Sequence, residues 1–150
     1  MENIILTFSK LTNCQLYNIL KLRQDVFIIE QNCIYSDIDN YDEKALHHII
    51  MDGDQIISYA RIFESGVKYE SFSSIGRIIV HPTFRGKGFA KSLIKNSIEY
   101  CKEYFPAADI KIEAQAALKS YYNEFGFSEI GKIYPVDGID HIEMIYRLKN

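Results

Sequence analysis

The residues best suited to chemistry stand in one run, Ile78-Ile79-Val80-His81-Pro82-Thr83-Phe84-Arg85-Gly86-Lys87-Gly88-Phe89-Ala90. Its apolar start stops at His81-Pro82, a basic turn with spaced glycines follows, and a helical pattern begins directly after it. Gly86 and Gly88 carry no Cβ, so an anion can approach the backbone closely. The N–H groups of a first helical turn have no intrahelical partner, and the helix dipole adds positive potential there. Such a place holds phosphate, and Arg85, Lys87 and Lys91 put full charges around it. Two common phosphate loops are excluded. A P-loop has four residues between its glycines and a Ser or Thr after the lysine, and the dinucleotide fingerprint needs three glycines in a longer run.

Two further groups of residues could act on whatever the turn holds. In Tyr122-Asn123-Glu124-Phe125-Gly126-Phe127, the tyrosine hydroxyl could donate a proton, or the aromatics could simply be core. Glu113, Glu30 and His141 are candidate bases, and a histidine titrates in the range that suits the task. His47 and His48 are adjacent in a strand-like run, so they face opposite ways and make poor co-ligands; no metal site is expected. From Gln31 to Lys44 the periodic pattern collapses into an acidic loop with Tyr35, Asp37, Asp39, Asp42 and Glu43. With Glu30, these carboxylates predict a site for a cationic amine. Arg23, Arg61 and Arg77 are alternatives for either role: they could neutralise the loop or touch substrate.

The elements that must position these groups follow from periodicity. Residues 4–8 read as a first strand, and Thr12 or Asn13 caps a helix that runs to about Glu30. Residues 46–51 and 55–63 are strands joined by a hairpin at Asp52-Gly53. In the second, Ile57, Tyr59 and Phe63 alternate with Ile56, Ala60 and Ile62, as in a central strand covered on both sides. Residues 73–80 form the strand that delivers the glycine turn. The next helix buries Ala90, Leu93, Ile94, Ser97, Ile98, Cys101 and Phe105, and Pro106 ends it. A strand at 110–114, a helix at 116–125 stopped by Gly126, and strands at 130–134 and 141–148 complete the chain. A right-handed crossover makes strands 73–80 and 110–114 parallel neighbours, and ligands bind where such strands separate at their carboxyl ends.

Composition limits the function classes. The chain has 150 residues, 47% of them hydrophobic, which predicts one domain, 1–150, with a real core. A net charge of −3 argues against general nucleic-acid binding. No apolar run reaches membrane-spanning length, and Met1-Glu2-Asn3-Ile4-Ile5-Leu6 has neither the basic leader nor the long apolar core of a signal peptide. Cys14, Cys33 and Cys101 are odd in number and have no metal-like spacing. Free thiols in a reducing cytoplasm are therefore expected.

Arg85-Gly86-Lys87-Gly88-Phe89-Ala90 resembles the Gln/Arg-x-x-Gly-x-Gly/Ala signature of the GNAT acyltransferases, and Tyr122 to Phe127 resembles their Tyr-x-x-x-Gly-Phe piece. Arg23 with Val26 to Cys33, Tyr59 to Ile62, Ile75 to Ile78, Glu113 to Ala116 and Asp137 to Ile142 look like the ElaA-like subgroup of that family. The likeness spans nearly the whole chain. It implies an α/β (α+β) fold: a mixed, mostly antiparallel sheet with a central parallel pair splayed at the cofactor site and helices on its faces. It implies that Arg85, Gly86, Lys87, Gly88, Phe89 and Ala90 grip the pyrophosphate of acetyl-coenzyme A, with Ile78, Ile79, Val80 and Gln115 along its arm. In the family the matching tyrosine often protonates the departing thiolate, which gives Tyr122 a catalytic role; the base stays open among Glu113, Glu30 and His141. Glu30, Tyr35, Asp37 and Arg77 fall on the acceptor side. Some relatives carry a glutamate on the strand before the glycine turn; this chain has Arg77 there and no carboxylate. The implied function is direct transfer of an acetyl group to a primary amine of a small molecule or peptide. The alternative is a non-catalytic acyl-coenzyme A sensor on the same fold. A homodimer is compatible with either.

Overall fold

The computed structural model describes residues 1–148. Seven strands form one sheet in the order β1-β2-β3-β4-β5-β7-β6. They are β1 (Glu2–Thr7), β2 (Leu46–Asp52), β3 (Gln55–Phe63), β4 (Ser73–Val80), β5 (Ile110–Gln115), β6 (Ser128–Val136) and β7 (Ile139–Tyr146). All neighbours pair antiparallel except β4 and β5, which are joined through a crossover helix and run parallel. Pairing in that parallel couple is confined to Ser73 opposite Ile110 and Ser74 opposite Lys111. Beyond Ser74 the two strands diverge, so the sheet opens in its middle.

The crossover helix α2 (Phe89–Tyr104) covers one face, and Leu93, Ile94, Ser97, Ile98 and Cys101 are the buried stripe, as the periodicity predicts. They pack on Ile57, Ala60, Ile62, Ile75, Ile110 and Ile112. The first helix α1 (Asn13–Arg23) covers the other face, where Ile19, Leu22 and Val26 meet Ile49, Met51, Ile56, Tyr59 and Ile79. Its start is a capping box: Thr12 Oγ1 accepts from the Gln15 N–H at 3.0 Å, and Gln15 Oε1 accepts from the Thr12 N–H at 2.9 Å.

Several details depart from the periodic reading. The expected long first helix stays helical to Glu30 but widens into π-type turns from Gln24 to Glu30, a form concentrated at functional sites. The hairpin turn is Gly53-Asp54, because Asp52 still pairs with Gln55. A bulge at Ile57, where the β2 register shifts, turns that side chain to the face of Ala60 and Ile62 rather than that of Tyr59. The helix expected at 116–125 is regular only as α3 (Lys119–Asn123), entered by a tighter turn at Ala116–Leu118. Strand β6 runs longer than expected, and β7 starts two residues earlier and ends at Tyr146.

His47 and His48 do face opposite sides, and both are structural. His47 lies between the Tyr59 hydroxyl (2.6 Å) and the Asp42 carbonyl (2.8 Å), and His48 between Ser97 Oγ (2.8 Å) and Asn3 Oδ1 (2.7 Å). Burial drives both rings toward the neutral form, with His48 pulled down to about 4.

Candidate active site

The opening between β4 and β5 is a cleft of about 630 Å³. Strand β4 reaches it through a distortion. Arg61 of β3 pairs with Gly76 and Tyr59 with Ile79, so Arg77 and Ile78 together stand opposite Ala60. This bulge puts Arg77 at φ 48, a left-handed conformation that costs a side-chain-bearing residue about 1–3 kcal/mol. The bulge and the divergence from β5 leave β4 beyond Ser74 without strand pairing on its β5 side, where the cleft opens.

At the carboxyl end of β4 the chain turns through Gly86 (φ 77) and Gly88 (φ 85) into α2. Gly88 is the N-cap, and no side chain caps the helix. Its first N–H groups are therefore open, and a Cβ built on Gly86 or Gly88 would meet nothing within 4 Å. Both observations fit the binding of a phosphate group by backbone amides. Arg85 and Ala90 line the cleft itself, while Gly86, Lys87 and Gly88 sit on its exposed outer lip. Phe89 packs edge-to-face against Phe84 at 6.2 Å and fixes the turn. Lys87 lies over the Phe84 ring at 5.6 Å.

Ile78, Ile79 and Val80 form one wall and Glu113, Ala114 and Gln115 the other. Tyr122 closes the floor. It is 8% exposed, and its hydroxyl has no hydrogen-bond partner among the described residues. Burial pushes its ionisation up to about 12, so it is a neutral proton donor at any physiological pH. Edge-to-face contacts with Tyr121 at 5.7 Å and Phe127 at 6.1 Å hold the ring, so it is both core and cleft.

His141 of β7 stands directly opposite Gln115 of β5, and opposite Tyr134 of β6. Its Nδ1 is 2.7 Å from the Ile139 carbonyl oxygen. A carbonyl only accepts, so Nδ1 carries a proton in this contact, which leaves Nε2 as the nitrogen that can act as a base. Glu113, two residues before Gln115 on the same strand face, accepts a 2.6 Å hydrogen bond from the Tyr134 hydroxyl.

The acidic loop is arranged differently from the expected open cluster. Asp37 and Asp42 are buried. Arg23, fully buried, donates to Asp37 Oδ2 at 2.8 Å, Asp42 Oδ1 at 2.6 Å and the Asp37 carbonyl at 2.9 Å. Arg61 grips Asp39 through two 2.8 Å bonds and reaches Asp42 at 3.1 Å. Arg77 donates to Asp37 Oδ1 at 2.7 Å. Burial alone would raise the Asp39 and Asp42 carboxyls; the arginine hydrogen bonds outweigh it and hold both below the usual range. Three guanidinium groups thus neutralise three carboxylates, because buried charge must be paired. The premise of a free acidic attractor for a cationic amine is corrected by this pairing. Asp37 holds Arg77 and Tyr35 in place rather than presenting an open carboxylate. Glu30 points the other way: it makes a two-pronged ion pair with Arg85 at 2.5 and 2.7 Å, at the cofactor turn. Tyr35 and Arg77 do line the cleft.

Phe27, Lys68 and Asp137 also line the cleft; Phe27 and Asp137 stand out in the sequence only as parts of the ElaA-like stretches, and Lys68 not at all. Phe27 reads as ordinary helix stripe. Lys68 comes from an irregular loop that folds back until its ammonium lies 4.2 Å from the Tyr41 ring centroid. No periodicity signals either placement.

A sheet opened at its central parallel pair, with an uncapped glycine turn at the opening, defines an acyl-coenzyme A N-acyltransferase fold. Residues 18–148 match the family model described as an acetyltransferase (GNAT) domain, and the chain belongs to that family. It is 38% identical over 138 residues to protein ElaA of Escherichia coli, covering 91% of this chain and 90% of that one. A UPF0039 protein of Synechocystis is 34% identical over 142 residues, with 94% and 92% covered. The crystal structure of Escherichia coli ElaA superposes with a TM-score of 0.90 over 98% of this chain and 100% of that chain. That of an acyl-CoA N-acyltransferase from Pseudomonas aeruginosa does so with 0.92 at 28% identity, covering 97% and 99%.

Proposed function

We propose that this protein transfers an acetyl group from acetyl-coenzyme A to a primary amine by direct attack within one cleft. The observation that carries this reading is the continuity of the cleft, which runs from Arg85 at the glycine turn, between β4 and β5, to Tyr122 and His141. An acyl-CoA N-acyltransferase superposing over almost the whole chain supports the choice of cofactor. Backbone N–H groups from Gly86 to Ala90 would hold the pyrophosphate, and Ile78, Ile79, Val80 and Gln115 the arm behind the thioester. Acetyl-coenzyme A supplies an activated acyl group, whose carbon–sulfur bond breaks as the carbon–nitrogen bond to the acceptor forms.

The chain's own residues handle the protons and the charge. His141 Nε2 takes a proton from the acceptor ammonium and so frees the nitrogen lone pair. Glu113 is the second candidate base, but the Tyr134 hydroxyl already engages its carboxylate. A β4 N–H at the bulge faces the developing negative charge on the carbonyl oxygen. Tyr122 donates its proton to the departing sulfur and is reprotonated by the second proton that the nitrogen sheds as the amide forms. The leaving thiolate belongs to a thiol of pKa about 8.5 and is a fair leaving group unaided, so Tyr122 assists rather than decides the reaction.

His141→Gln tests the proton path. Amine-dependent release of the coenzyme A thiol should fall at pH 7 and recover at pH 9 and above, where the amine arrives already neutral. A wild-type protein that binds coenzyme A yet releases no thiol with any amine overturns the transfer reading in favour of a sensor.

A further inference from the structure

The geometry points to an acceptor that carries a carboxylate as well as its amine, an amino-acid-like substrate whose carboxylate is held by Arg77 and Lys68. This rests on the transfer reading for the amine end and deepens it by naming the substrate class.

Arg77 is built as a receptor rather than as a plain structural ion pair. Arg23, its neighbour in the same network, spends all three guanidinium nitrogens on Asp37 and Asp42. Arg77 spends only two. Nε donates to Asp37 Oδ1 at 2.7 Å, and Nη2 to the Asp37 carbonyl at 3.0 Å and Asp39 Oδ2 at 3.4 Å. Nη1 has no partner among the described residues, although the side chain is only 23% exposed and lines the cleft. Phe27 and Tyr35 flank the guanidinium at 6.0 and 5.7 Å. The group is thus held by ionic bonds on one edge and by aromatic rings beside it, with its remaining donors unused. It occupies a strained backbone position that persists only where the surroundings impose it. A planar guanidinium fixed in this way is suited to receive a carboxylate.

Lys68 adds the second cation. It lines the same cleft, and no carboxylate lies within ion-pair distance of it among the described residues. Burial lowers its proton affinity; Asp39 raises it in part, Arg61 and Arg77 lower it further, and Glu113 raises it again. The cleft carboxylate closest in kind, Asp39, is already committed to Arg61 and Arg77. This end of the cleft therefore carries two cations, Arg77 with Nη1 unpartnered and Lys68 outside ion-pair distance of any carboxylate among the described residues. Glu113 and His141 line the same cleft and offer a carboxylate and a ring nitrogen to an ammonium. A zwitterionic amine satisfies both ends at once. A polyamine would set a second ammonium against Arg77 and Lys68.

Matched sets test this: alanine, alaninamide and ethylamine; leucine, leucinamide and isopentylamine; phenylalanine, phenylalaninamide and phenethylamine. Binding of each to the coenzyme A complex is measured by calorimetry, independently of turnover. In at least one set the carboxylate should bind about 10- to 100-fold tighter than its amide, the range of one charge-assisted hydrogen bond. Lys68→Gln, in an exposed loop that tolerates the change, should reduce that preference several-fold and leave coenzyme A affinity unchanged. Arg77→Gln, checked for folding by circular dichroism, should abolish it. Amides or alkylamines binding as well as the amino acids in every set, or a preference intact in both variants, overturns the inference. The transfer reading fails separately, if a protein that prefers carboxylates releases no thiol.

Discussion

Mild acid should destabilise this fold before its carboxylates titrate. His48 is fully buried, bonded on both ring nitrogens, and held neutral by burial down to about 4. In the unfolded chain the same ring titrates at its ordinary 6.5. Its folded value is the depressed one, so the unfolded state binds the extra proton between these limits, and stability present above pH 6.5 is lost as pH falls toward 4. At 1.36 kcal/mol for each tenfold difference in proton affinity, the full effect is about 3 kcal/mol, of which about 2 kcal/mol is expressed by pH 5. Buried His47 is shifted in the same direction and adds to the loss. Asp39 and Asp42 are held below the usual carboxyl range, so their contribution disappears only at lower pH. Urea unfolding at pH 7.5, 6.0 and 5.0 measures the slope. His48→Gln should start less stable at pH 7.5 and lose markedly less on acidification. Equal stability of the wild-type protein at pH 7.5 and 5.0, or an undiminished slope in His48→Gln, would refute the reasoning.

Two other perturbations address the cofactor turn. Gly88→Val should stay folded, because its Cβ meets nothing within 4 Å; the left-handed φ of 85 costs about 1–2 kcal/mol. Its coenzyme A dissociation constant by calorimetry should rise more than tenfold, and unchanged affinity would remove the turn from the site. Glu30→Gln should release Arg85 and remove a negative charge beside the pyrophosphate position. The result should be two- to fivefold tighter coenzyme A binding at low salt, roughly the worth of an exposed ion pair, fading as salt is added; weaker binding would mean that Glu30 positions Arg85 productively.

Much of this architecture was legible in the sequence, for reasons that differ by element. The α2 stripe from Leu93 to Cys101 could be read because a helix on a sheet buries one face at a fixed period. The parallel pairing of β4 with β5 followed from crossover handedness. The glycine turn was legible because its conformation excludes most side chains. Charge pairing was legible only as one of two roles open to the arginines. Arg23, Arg61 and Arg77 come from three separate elements, and nothing local says that they converge on Asp37, Asp39 and Asp42. Composition alone therefore does not decide between an open attractor and a neutralised cluster. Periodicity alone does not place the bulge at Arg77, because an alternating pattern does not reveal where one strand gains a residue against its neighbour. The cleft's acceptor end depends on both features, which is why its preference becomes visible only once the chain is folded.

The central claim, that the cleft is catalytic with Tyr122 as proton donor, is tested most directly by thiol release from acetyl-coenzyme A with a saturating amine, comparing wild-type and Tyr122→Phe proteins. The ring stays packed against Tyr121 and Phe127, and the deleted hydroxyl has no protein partner among the described residues, so folding and coenzyme A affinity should be unchanged. Turnover should fall about 100-fold, the lower end of what general acid catalysis supplies, because the thiolate leaves fairly well unaided. Equal turnover in the two proteins would contradict the account and make Tyr122 a packing residue.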